Sequence, residues 1–140
     1  MAVGNTFGAT ALSSYGGFWL AYGTLFHPYF DIFNSLHEAD GAPAVIYTPE
    51  ARFSAVGFFL TGWFIFTTLL LLCTLKSTVM FFMLFFTLDL AFLCLACENY
   101  AASLGQKTHQ VALQKAGGVF GMLAAFLAWY NALAGIQDNG

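Results

Sequence analysis

Residues 1–30, 53–75 and 116–137 of this chain contain no Asp, Glu, Lys or Arg, and residues 77–97 contain one such residue, Asp89. Crossing the roughly 30 Å hydrocarbon core of a bilayer takes about 20 apolar residues in a helix. Four segments meet that requirement, at 7–30, 53–75, 77–97 and 116–137. The runs are continuous rather than alternating, which excludes a transmembrane β-barrel. Only 8% of the residues are charged, against about 25% in soluble domains, so a water-soluble globular fold is excluded as well. A net charge of −3 leaves no basic stripe for phosphates, and no nucleic-acid partner is expected. The chain therefore reads as all-α: a polytopic membrane helix bundle with four transmembrane helices, one membrane domain over 1–140, and the lipid bilayer as its partner. The stretch before the first span, Met1–Asn5, has no basic residue, so it does not read as a cleaved signal peptide.

The connections between spans are uneven. Residues 31–52 hold Asp31, Glu38, Asp40, Glu50 and Arg52, with Gly41, Pro43 and Pro49 as breakers. Within them Ile32, Phe33 and Leu36 share one helical face, which suggests a turn lying at the membrane interface. Lys76 alone separates the second and third spans, so these form a tight antiparallel hairpin. The third connection is read as 98–115, with Thr108 as a candidate cap for the last helix. Basic residues favour the cytoplasmic side. Lys76 then puts the middle hairpin turn inside and the acidic connection outside, although Lys107 and Lys115 fall outside against the rule.

Small residues recur every fourth position at Ala9, Ser13, Gly17 and Ala21, and again at Gly117, Gly121 and Ala125. Such faces let helix backbones approach closely in lipid, either within a subunit or between subunits. Trp19, Trp63, Trp129, Tyr29 and Tyr130 are candidates for the interfacial aromatic belt, with Trp19 set deep for that role.

Asp89 is the costly residue. A carboxylate near the middle of a span costs about 2.5–3.5 kcal/mol on insertion scales. It is expected to face the bundle interior or to carry a proton, as a proton-relay group or as a neutral acid bonded to a neighbouring helix. Glu98, at the end of the same span, is expected at the interface. Cys94 and Cys97 form a C-x-x-C inside an apolar helix, where small thiols act as hydrophobes. His27, His37 and His109 lack metal-ligand spacing, and no nucleotide loop or nucleophile elbow occurs. Neither a metal nor a cofactor is expected, and the scattered polar residues argue against an enzyme. The first span does carry neutral polar groups, in Gly4-Asn5-Thr6-Phe7-Gly8 and Ser13-Ser14-Tyr15-Gly16-Gly17-Phe18-Trp19. Their pattern suits either passage of a small polar solute or plain helix packing.

These blocks, together with Thr74-Leu75-Lys76, resemble the acetate uptake transporter family of bacterial succinate–acetate permeases and fungal acetate or ammonia-export transporters. The resemblance runs over nearly the whole chain. It implies a six-helix bundle assembled as a homo-oligomeric ring, a hexamer, in the plasma membrane. Acetate and similar small monocarboxylates would pass through each subunit, coupled to protons. Tyr15 matches the tyrosine of the family's constriction and Leu88 a leucine of it. Asn5, Thr6 and Ser14 are pathway-lining polar candidates, and Asp89 is the proton-handling candidate. The Asn-Pro-Ala-Pro motif of the family's first helix is absent from this sequence. The resemblance thus implies a chain that lacks the family's first two helices and part of its tail, and whose constriction is incomplete by itself. The alternative is a truncated, non-transporting membrane protein that packs with or regulates full-length relatives.

Overall fold

A computed structural model describes residues 6–30, 32 and 48–137, and the described residues are helical or in the turns between helices. They fall into two compact units that divide after residue 47. Asn5, Phe33, Leu36 and most of the acidic connection lie outside the described residues.

The first unit contributes helix α1, Thr6–Phe26. It ends short of the span read from sequence because Pro28 disfavours helical backbone at His27. A turn follows, in which the Tyr29 backbone N–H donates to His27 Nδ1 at 3.2 Å. The polar content of α1 is partly satisfied within the helix itself. Thr24 Oγ1 donates to the Leu20 carbonyl at 2.6 Å and Ser13 Oγ to the Thr10 carbonyl at 3.2 Å. Returning a hydroxyl proton to its own helix is how such residues exist in an apolar medium without a neighbour. Along one side, Phe18 stacks on Tyr22 with ring centroids 5.3 Å apart, and Tyr22 meets Phe26 edge to face at 4.9 Å.

The second unit holds three helices: α2 (Pro49–Cys73), α3 (Val79–Ser103) and α4 (Lys107–Gln137). Each is long and apolar enough to cross a membrane, and among the described residues these three are the helices that are. The serines, threonines and glycines of α1 lower its hydropathy below theirs. The protein is thus a multi-pass membrane protein with an all-helical fold.

Helix α2 begins four residues before the apolar run. Thr48 caps it, accepting from the Ala51 backbone N–H at 3.2 Å, and Pro49 takes the first helical position, where a missing N–H costs nothing. A single 3₁₀ turn, Thr74–Lys76, closes the hairpin, and Thr78 caps α3 by accepting from the Phe81 N–H at 3.3 Å. The tight turn read from Lys76 is present.

The connection expected over 98–115 is mostly helix. α3 runs on to Ser103 and α4 starts at Lys107, so Thr108 lies within the first turn of α4 instead of capping it. Gly105 ends α3 in the left-handed region, with φ at +70°. Its N–H donates to the Ala102 carbonyl at 3.0 Å, and the Gln106 N–H donates to the Ala101 carbonyl at 2.9 Å. That pair of bonds satisfies the last carbonyls of a helix, and it requires a residue without a Cβ penalty at the turn. Helices α2, α3 and α4 run up, down and up, with α3 packed against both others.

Candidate functional site: a polar seam between α2 and α3

The α2–α3 contact is built on one face of each helix. Gly57, Thr61, Phe64 and Thr68 recur at three- and four-residue intervals, which places them in one row along α2. On α3 the row is Phe85, Asp89, Phe92, Ala96 and Tyr100, of which the first four are buried. Where the rows meet, the Thr68 hydroxyl donates to Asp89 Oδ1 at 3.0 Å. Asp89 is only 9% exposed, so the carboxyl points into the seam and not toward lipid.

The same hydroxyl also lies 2.9 Å from the Phe64 carbonyl. A hydroxyl carries one proton and two lone pairs, so the three groups can be bonded in two ways. With Asp89 ionised, Thr68 donates to the carboxylate. With Asp89 protonated, the acid donates to Thr68 and Thr68 donates to Phe64. The heavy atoms keep their places in both arrangements. A carboxyl in this setting can gain and lose a proton without rebuilding the helix contact.

Three turns along α3 from Asp89, the seam is closed by Tyr100. Its hydroxyl lies 3.0 Å from Thr61 Oγ1, and Thr61 donates to the Gly57 carbonyl at 2.8 Å. The ring covers Gly57 closely: a Cβ there would stand 3.0 Å from Tyr100 Cε1. Between the two polar contacts Trp63 stacks on Phe92, with centroids 6.5 Å apart and planes 27° from parallel. Trp63, read from sequence as a belt residue, instead packs across the seam. Trp19, Trp129, Tyr29 and Tyr130 are exposed.

The other sequence candidates fall on both units. Leu88 is half-buried on α3, beside Asp89. Tyr15 and Ser14 are half-buried on α1, and Thr6 is exposed at its start. Asn5 lies outside the described residues. Of the small-residue row on α4, Gly117 is packed, with a Cβ position 3.0 Å from Leu95 Cδ2, whereas Gly121 faces open space. The buried partner one helical repeat on is Ala124, because a straight helix brings positions seven apart back to one face. On α1 a Cβ at Gly16, Gly17 or Gly23 meets no atom within 4 Å. Cys94 and Cys97 are half-buried free thiols and Cys73 is exposed. No group of metal-ligating side chains occurs among the described residues.

Two contacts escaped the sequence reading. Glu98, expected at the interface end of its span, is buried against α4 and accepts from Gln110 at 3.2 Å. Tyr100 was not singled out at all. Its signal was present in the spacing, since Asp89 and Tyr100 are three turns apart on one face.

The sequence profile of the GPR1/FUN34/yaaH family matches residues 1–140. This chain belongs to that family. It is 55% identical to Acetate permease A of Emericella nidulans, over 99% of this chain and 45% of the relative. Ammonia transport outward protein 2 of Saccharomyces cerevisiae is 44% identical over 99% of this chain and 44% of its own length. Acetate transporter protein patA of Aspergillus clavatus is 28% identical over 91% of this chain and 48% of its own. The chain thus spans less than half the length of the curated relatives it matches. No solved structure matches it.

Proposed function

We propose that this protein takes part in passing acetate and similar small monocarboxylates across the plasma membrane, coupled to protons, as a transporter and not an enzyme. The observation that carries the reading is the Asp89–Thr68 pair. It is a carboxyl buried between two membrane-length helices, with a hydroxyl partner that serves both of its protonation states. Intramembrane carboxyls of this kind mark proton and substrate paths. The relatives' names, acetate permease and acetate transporter, support the substrate class. In this reading Asp89 takes up and releases the coupling proton. Tyr15 and Leu88 are the constriction residues of this reading, Asn5 and Thr6 offer hydrogen bonds to the carboxylate near one mouth, and Ser14 is a further pathway-lining candidate. A homo-oligomeric ring with one pathway per subunit completes the proposal.

The test is uptake of labelled acetate by cells that lack their own carriers and express this chain. Uptake that falls on Tyr15→Ala or Leu88→Ala supports the reading. No uptake, together with co-purification of a full-length relative, would favour a packing or regulatory role instead.

A further inference from the structure

Helix α3 carries two buried carboxyls, and they face opposite neighbours. Glu98 lies about two and a half turns beyond Asp89, at about 3.6 residues per turn, which points it away from α2. Its Oε2 accepts from Asn99 Nδ2 at 2.9 Å and its Oε1 from Gln110 Nε2 at 3.2 Å. Asn99 is itself held, by donation from Nδ2 to the Leu95 carbonyl at 2.8 Å. Glu98 is 8% exposed and Asn99 7%. One turn back from Glu98, Cys94 and Leu95 cover Gly117 of α4; a Cβ on that glycine would stand 3.4 Å from Cys94 Cβ. Gln110 and Gly117, two turns apart, lie on one face of α4.

Apolar side chains alone do not decide whether α4 stays on α3, because lipid tails are as apolar as the seam. Close backbone approach and polar contacts do. At the far end the seam has a long bond, Asn131 Nδ2 to the Met80 carbonyl at 3.3 Å. The Glu98 contact is made by a buried carboxyl, whose second oxygen is held in place by Asn99, whereas the Asn131 bond is exposed; the Glu98 contact is therefore the better shielded of the two.

We propose that Glu98 and Gln110 form a polar latch that holds α4 on α3, making Glu98 a positioning residue for α3 during transport. The role in transport rests on the function proposed above; the latch itself does not.

Cys94 reports the latch directly, because it lies against Gly117. In the chain carrying Cys73→Ser and Cys97→Ser, Cys94 is alkylated with N-ethylmaleimide in membranes. Glu98→Ala and Gln110→Ala are each expected to raise the rate at least about threefold, the population factor of an interhelical hydrogen bond in a membrane. The exchanged pair Glu98→Gln with Gln110→Glu restores one carboxylate facing one amide. Gln at 98 accepts from Asn99 and donates to Glu at 110, so the rate returns to within about twofold of the parent. In acetate uptake, Glu98→Ala lowers the maximal rate and leaves the half-saturating concentration unchanged, and the exchange restores it.

Unchanged alkylation in both alanine variants overturns the latch, as does an exchanged pair no better than Glu98→Ala. If Glu98→Ala does not fold, Gln110→Ala and the exchanged pair decide the question. Absence of acetate uptake by the parent defeats the transport reading, while the alkylation rates still decide the latch.

Discussion

Gly57→Ala adds one methyl group where the structure has no room for it. The new Cβ would lie 3.0, 3.1 and 3.2 Å from Cε1, Cδ1 and Cζ of Tyr100, so the ring must retreat by a few tenths of an ångström. It is not free to do so, because its hydroxyl is bonded to Thr61 at 3.0 Å. Thr61 is fixed one turn above by its own bond to the Gly57 carbonyl. Overpacking a close contact costs about 1–3 kcal/mol, and a stretched hydrogen bond adds about 0.6 kcal/mol at membrane values. Alanine returns about 0.5–1 kcal/mol in helix propensity. Steric cost wins, and the net loss is about 1–3 kcal/mol. SDS titration of the protein in mixed micelles measures it. The same substitution beside Tyr100→Ala meets no ring, so its sign reverses, to a gain of about 0.5–1 kcal/mol. Stabilisation by Gly57→Ala alone, or an equal loss in both backgrounds, would refute the contact.

Thr68→Val keeps the shape of the side chain and removes the donor to Asp89. Stability in the same titration is expected to fall by about 0.6 kcal/mol, and by no more than about 1.7, while Thr68→Ser retains it. Gly105→Ala forces a Cβ into left-handed backbone and costs about 1–2 kcal/mol. Faster proteolysis between α3 and α4 would report that strain, and a variant as resistant as the parent would contradict the turn.

Three of the four spans coincide with helices long and apolar enough to cross a membrane, because continuous apolar runs have few alternative explanations, and the Lys76 hairpin was legible because one residue leaves no room for anything but a turn. Helix ends were less so. Hydropathy marks where lipid ends, not where the helix does, so polar ends such as Glu98–Ser103 and Lys107–Lys115 were read as a connection. The stop signal was Leu104-Gly105, and the start of α2 was written in Thr48-Pro49, a cap followed by a first-turn proline. Asp89 announced itself by cost alone. Its partner did not, because Thr68 is one of several threonines in α2 and only helix pairing selects it. The Glu98 contact was hidden for a related reason: its position in the span is terminal, and only helix pairing shows that the polar ends of α3 and α4 pack together and bury it.

The proposed function turns on whether Asp89 carries the coupling proton. Its most direct test is acetate-driven acidification of proteoliposomes holding the parent, Asp89→Asn or Asp89→Glu, read with an internal pH dye. Asparagine can still bond to Thr68 but cannot exchange a proton. Asp89→Asn is expected to lower proton entry at least about tenfold, the factor that about 1.4 kcal/mol commands, and Asp89→Glu to retain part of it. Proton entry through Asp89→Asn at the parent's rate would contradict the claim.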